Sequence, residues 1–297
     1  MKKILYFYQS INMLNMKKVL ISIFVFLLTV LLKGQAPFPS PDEIKQFMAS
    51  KTCVVMENDP FSAYNSYIKE AVKNYWNITP YEFIEVKEFN VRRLNPAYSF
   101  IVLTETKFDK DKSGSTFNFI NLLQGKKVNK ISENPEICAI PLSFAGEDDL
   151  GYGYKLGVIL SFMQKHAKMI SEDPSLTGRK YLKYYNKFVP EVNKKTILVK
   201  KEDLSPAIST IESIKAIYPH DIKIVSEDEI VEAITKKTPN TLILHKVGPV
   251  GQWKTGYCFK MLFGVDDANM YYYDQHMIDE SNPNGLLESD LKRLARF

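Results

Sequence analysis

The feature that most restricts what this 297-residue chain can fold into is an internal repeat with a period of about 142 residues. "KTCVVMEN" (51–58) has a counterpart in "KTILVKKE" (195–202), "YNSYIKEAVKNYW" (64–76) in "ISTIESIKAIY" (208–218), and "EFIEVKEF" (82–89) in "DIKIVSEDEI" (221–230). "SFIVLTE" (99–105) aligns with "TLILHKV" (241–247), and "TFNFINLLQGKK" (116–127) with "CFKMLFGVDDAN" (258–269), both at one gap-free offset of 142. The period far exceeds the roughly 20–50 residues of a solenoid unit. Two copies of one domain are therefore expected.

Each copy can be read as physics. "CVVM" and "ILV" are short β-rich apolar runs and predict strands. In the first copy Tyr64, Tyr67, Ile68, Ala71, Val72 and Tyr75 recur at helical spacing; in the second, Ile208, Ile211, Ile214 and Ile217 do the same. Pro80 and Pro219 end these helices. Ser226 with Glu229 three residues on predicts a capping box and a second helix. "SFIVL" and "TLIL" read as fully apolar central strands, and hairpins follow. The expected fold class is α/β (α+β), two tandem copies of a β-α-β-(α)-β-β-β-α domain with mixed sheets. The first copy carries an extra amphipathic helix in "YGYKLGVILSFMQKHAKMI" (152–170) and a short one in "KYLKYYNKF" before Pro190. The expected division is a leader over 1–34, a first domain over 35–190 and a second over 191–297, closed by "LLESDLKRLARF" (286–297).

The leader reading rests on Met16-Lys17-Lys18, then the 14-residue apolar run "VLISIFVFLLTVLL", then Lys33 and Gly34. A basic start, a short apolar core and small residues describe a secretory signal peptide. The run falls short of the roughly 20 residues that span a bilayer. Gly34 is the expected last residue removed, because Pro37 disfavours cleavage after Ala36. An uncleaved leader is the alternative, and would be the chain's one membrane contact. The leader holds five lysines and no acid, so the 39 basic residues fall to 34, against 34 acidic ones. A neutral remainder has no surplus of Lys and Arg for a phosphate backbone, so no nucleic acid is expected as partner. Cys53, Cys138 and Cys258 are far apart and in apolar surroundings. They read as buried free thiols, with a Cys53–Cys138 disulfide as the alternative.

Motifs for chemistry are sparse. No G-x-S-x-G, H-E-x-x-H or P-loop occurs. The four histidines (His166, His220, His245, His276) lack metal-ligand spacing, so no metal is expected, and no cofactor. "GYGYKLG" (151–157) lacks the preceding strand of a phosphate-binding loop and reads as a flexible start to a helix. "DKDKSG" (109–114) puts lysines where a calcium loop needs oxygen ligands and reads as a turn. The densest stretch is "CFKMLFGVDDANMYYYDQHMIDE" (258–280). Strand alternation puts Tyr272, Asp274 and His276 on one face and Tyr271, Tyr273 and Gln275 on the other. Asp266, Asp274 and His276 are the candidate catalytic residues, and Tyr272 and Trp253 the candidate binding residues. At offset 142, Asp266-Asp267-Ala268-Asn269 falls on Gln124-Gly125-Lys126-Lys127, acidic in one copy and basic in the other. A turn is the economical reading of that place.

In element order, each copy resembles the small α/β repeats of bacterial envelope proteins such as the TolB amino-terminal domain and CsgG-like periplasmic domains, and the whole resembles uncharacterised secreted bacterial proteins with a leader and tandem α/β domains. The resemblance implies a cell-envelope setting and carries no functional residue across. The expectation is a secreted or periplasmic, non-catalytic protein that binds an envelope protein partner or a small ligand. The alternative is a hydrolase using the acids and His276 of the second domain.

Overall fold

A computed structural model describes residues 37–59, 61–109, 111–178, 181–250 and 254–297. The leader (1–34) and Trp253 lie outside the described residues.

The first half opens with α1 (Pro41–Ala49), capped by Ser40, whose hydroxyl accepts from the Glu43 amide at 3.3 Å. Then follow β1 (Lys51–Met56), α2 (Ala63–Tyr75), β2 (Tyr81–Glu85), α3 (Val86–Arg92), β3 (Tyr98–Lys107), β4 (Thr116–Gln124) and β5 (Glu136–Phe144). After them come α4 (Leu150–Gly153), α5 (Leu156–Glu172) and α6 (Tyr181–Tyr184). A 3-10 segment, Tyr185–Lys194, runs through Pro190 into the second half. There β6 (Thr196–Val199), α7 (Ile211–Lys215), β7 (Ile222–Ile224), α8 (Glu227–Lys236), β8 (Thr241–Val247), β9 (Tyr257–Gly264), β10 (Met270–Met277) and α9 (Glu288–Leu294) follow. The fold is mixed α/β, as the alternation of apolar runs predicts.

The two sheets share one topology. The first runs β2-β1-β3-β4-β5, and the second β7-β6-β8-β9-β10. In each, the first three strands are parallel and the last two pairings antiparallel. Hydrogen bonds match one for one. Lys51 N donates to Ala97 O as Thr196 N donates to Asn240 O, Thr52 N to Pro80 O as Ile197 N to Asp221 O, and Gly125 N to Tyr98 O as Val265 N to Thr241 O. These pairs equate Tyr98 with Thr241, an offset of 143, and Gly125 with Val265, an offset of 140. The single gap-free offset of 142 is thus corrected to 143 in the central strand, which exchanges its faces, and to 140 in the strand that follows it. "SFIVL" and "TLIL" are apolar on both faces, so their pattern could not hold the register. Asp266 and Asp267 now fall on Lys126 and Lys127, and the change of charge between copies stands.

The second copy's first helix is shorter than its isoleucine stripe implies. A 3-10 turn (Pro206–Ile208) comes first, and α7 begins only after Thr210, whose hydroxyl accepts from the Ser213 amide at 3.2 Å. The cap fixes the start, and Ile208 reaches the core from the separate turn. The extra helix also divides: α4 and α5 are separated at Tyr154-Lys155.

The layers follow from which faces are apolar. α1, α2 and α5 cover one face of the first sheet, with Phe47, Ile68, Val72 and Met163 against Val54, Ile101 and Ile120. The same apolar cluster continues into the second sheet through Ile243, Met261 and Phe263, and Phe162 of α5 stacks obliquely on Phe263 at 5.4 Å. The far face of the second sheet (Ile197, Leu242, Leu262) is closed by Ile208, Ile214, Leu291 and Leu294. The outer face of the first sheet (Cys53, Val55, Phe100, Val102) is covered by α3 through Phe89. Gly153 and Gly157 let α4 and α5 meet α2: a Cβ at either would lie 2.3 Å from the Tyr67 ring or 2.5 Å from the Tyr75 ring. The three cysteines are free and buried.

Candidate functional site

The 258–280 stretch forms β9, a turn and β10, paired antiparallel with a bulge between Met270 and Tyr272. Tyr272, Asp274 and His276 do share a face, and they surround Lys260 of β9, which has no solvent exposure. The Lys260 ammonium lies 2.7 and 2.9 Å from the two carboxylate oxygens of Asp290 in α9 and 3.6 Å from Asp274. Tyr272 Oη donates to Asp290 at 2.5 Å and accepts from Arg293 at 3.1 Å. Burial, and then the Asp290 charge, hold the Tyr272 phenol well above its ordinary range. The Leu287 amide donates to Asp290 at 2.8 Å. Asp290 thus receives four hydrogen bonds, which occupy the lone pairs a carboxylate offers. Arg293 reaches Asp274 at 3.4 Å. His276 is held by Pro283 O at 3.0 Å, and burial, then Lys260, lower its pKa. Asp266 stands apart in the β9–β10 turn, accepting from the Asn240 amide at 2.9 Å. The stretch therefore joins Tyr272, Asp274 and His276 around a buried ion pair and leaves Asp266 out of it.

A cleft of about 620 Å³ lies elsewhere, at the carboxyl ends of β1 and β3 beside α3. Val55, Val102, Leu103 and Phe89 give it apolar walls; Glu57, Asp59, Glu105, Asn58, Asn90 and Asn118 bring polar groups to it. The chain leaves β1 for β2 on one side and returns to β3 on the other. That is a topological switch point, where open α/β sheets bind ligands.

The matching place in the second half is filled. By the shared register Val55 corresponds to Lys200, Val102 to His245 and Val86 to Glu227. Lys200 bonds Glu227 across the crevice at 3.1 Å. The α4–α5 junction of the first half enters there: Lys155 Nζ donates to Leu244 O at 3.3 Å, where β6 and β8 part. Lys155 is buried, and burial lowers its pKa while the Asp203 and Glu147 carboxylates act against that. His245 Nε2 bonds Pro141 O of the first half at 3.0 Å, and burial pushes the imidazole down to about 3. A neutral ring that donates through Nε2 fits that contact. Burial likewise raises the Glu147 carboxyl.

Sequence reasoning missed both Lys155 and the cleft. "GYGYKLG" is a packed joint, with Tyr152, Gly153, Lys155 and Gly157 buried. Gly153 and Gly157, four residues apart, signal the close approach to α2 but not the lysine between them. A smaller pocket of about 350 Å³ lies where α2, α5 and Lys237 meet, with Lys165 and Lys168 at its rim. No family model, curated protein or solved structure matches this chain.

Proposed function

We propose that this chain is a secreted, non-catalytic binding protein whose ligand sits in the first-half cleft at the carboxyl ends of β1 and β3. The observation that carries the reading is the contrast between copies. One switch-point crevice is closed by Lys155 and its partners, while its counterpart is an open space of about 620 Å³ with apolar walls and polar groups. That combination is typical of small-molecule sites. Secretion rests on the sequence pattern of residues 16–36.

The hydrolase alternative has less behind it. Asp290 and Lys260 are fully buried and satisfy each other, and Asp266 is committed to a backbone amide in a separate turn. The test is a thermal-shift screen of the full chain against amino acids, sugars and amines, repeated on Asn90→Trp, which places a large ring at the cleft wall. Compounds that stabilise the wild type but not N90W support the reading. Hits that stabilise both proteins equally, or turnover of an ester or peptide panel lost in His276→Ala, would overturn it.

A further inference from the structure

The two copies together say what chemistry the open cleft fits. In the second copy the crevice holds an aliphatic stem ending in a primary ammonium, supplied by the chain itself: Lys155, donating to the Leu244 carbonyl with Asp203 and Glu147 as its nearby counter-charges. The first copy keeps the same strand ends and the same helix start, and among the described residues no lysine enters its cleft. Its walls are Val55, Val102 and Phe89, apolar where an alkyl stem would lie. Glu202, which follows β6, corresponds by register to Glu57, and two further acids, Asp59 and Glu105, stand beside the first cleft. Among the described residues, no lysine, arginine or histidine lines this cleft to neutralise them. Glu57 already accepts from Ser62 Oγ at 2.5 Å and Asp59 from the Phe61 amide at 2.9 Å. Glu105 lies four residues beyond the parallel pairing, opposite Asn118 of β4, and lines the cleft as an exposed carboxylate.

We infer that the first-half cleft binds a primary ammonium on an unbranched aliphatic stem, the chemistry shared by alkylamines and the lysine side chain. This deepens the binding reading above and rests on it. The stem replaces water against the apolar walls, and the ammonium meets carboxylates in a concave place where charge-assisted hydrogen bonds are strong.

The experiment is calorimetric titration of the full chain with three probes: n-pentylamine, n-pentanol as its neutral counterpart, and Nα-acetyl-lysine methylamide to distinguish a free amine from a lysine residue. Pentylamine is expected to bind at least about tenfold more tightly than pentanol. Glu105→Gln, an exposed change that removes one charge and keeps the shape, is expected to weaken the amine several-fold and leave the alcohol unchanged. Asn90→Trp is expected to weaken both. Tighter binding of the lysine derivative than of pentylamine assigns the site to peptides, and the reverse to free amines. Equal binding of amine and alcohol, both lost in N90W, refutes the ammonium and leaves the cleft. Amine binding that N90W does not touch refutes both. No binding of any probe refutes the ammonium, and the compound screen then decides the cleft.

Discussion

Replacing Lys260 with methionine isolates the contribution of a fully buried ion pair. The ammonium and the Asp290 carboxylate are each sealed from solvent and lie 2.7 Å apart. Methionine keeps the length of the stem and removes the charge. Asp290 then retains only Tyr272 and the Leu287 amide as donors, and an unpaired buried carboxylate remains. Removing one partner of such a pair costs about 3–5 kcal/mol. That is a large fraction of a domain's usual stability of about 5–15 kcal/mol. Replacing both partners, as in Lys260→Met with Asp290→Leu, removes the stranded charge but leaves the Tyr272 O–H and the Leu287 amide without their acceptor, at roughly 1–3 kcal/mol each, while Arg293 still donates to the Tyr272 oxygen. The double variant should therefore lose about as much as the single one and far less than the sum of the two single losses, with a coupling energy of at least about 2 kcal/mol. Urea denaturation followed by circular dichroism gives all four corners of the cycle. A single-variant loss below about 1 kcal/mol, or strict additivity, would show that the pair is not acting as a buried ion pair.

Three further outcomes are expected. Gly157→Ala brings a methyl to within 2.5 Å of the Tyr75 ring, so overpacking of about 1–3 kcal/mol should outweigh the gain of about 1 kcal/mol in helix propensity; a raised urea midpoint would refute the close approach. The buried His245 imidazole titrates at about 3 in the fold and near 6.5 when unfolded, so the unfolded chain binds the extra proton between those values. Its contribution is fully present above pH 6.5 and is lost as pH falls, by up to about 1.4 kcal/mol per unit. Glu136, raised to about 7 by burial, acts in the opposite sense. Comparing wild type with His245→Gln cancels it, and a stability difference that does not change from pH 7 to 4.5 would contradict the assignment. Finally, the chain produced in a secreting bacterium should carry Gln35 at its amino terminus; an intact mass including residues 1–34 would refute cleavage after Gly34.

Much of the architecture was legible because it is written in local periodicities. The stripe from Tyr64 to Tyr75 gave α2, the Ser226–Glu229 box gave the start of α8, and the repeat gave two sheets of one topology. Register was not legible, since strands apolar on both faces, such as "TLIL", present the same pattern after a one-residue slip. The shared face of Tyr272, Asp274 and His276 followed from alternation alone. Its centre did not: Lys260 and Asp290 are 30 residues apart and meet only through the docking of α9. Lys155 was hidden for a similar reason. Its partners Leu244 and Asp203 belong to the other copy, and no local pattern announces a lysine that crosses between domains.

The Lys155 joint also gives the duplicated fold a direction. Two copies that began with the same crevice are no longer interchangeable, because one has become a socket and the other supplies the key. Separating the two halves would uncover Lys200, His245 and Lys246 around the place that the Lys155 side chain fills. The filling is held by packing: α5 lies against both sheets at once, so Lys155 stays in the second copy's crevice only while the two halves are docked.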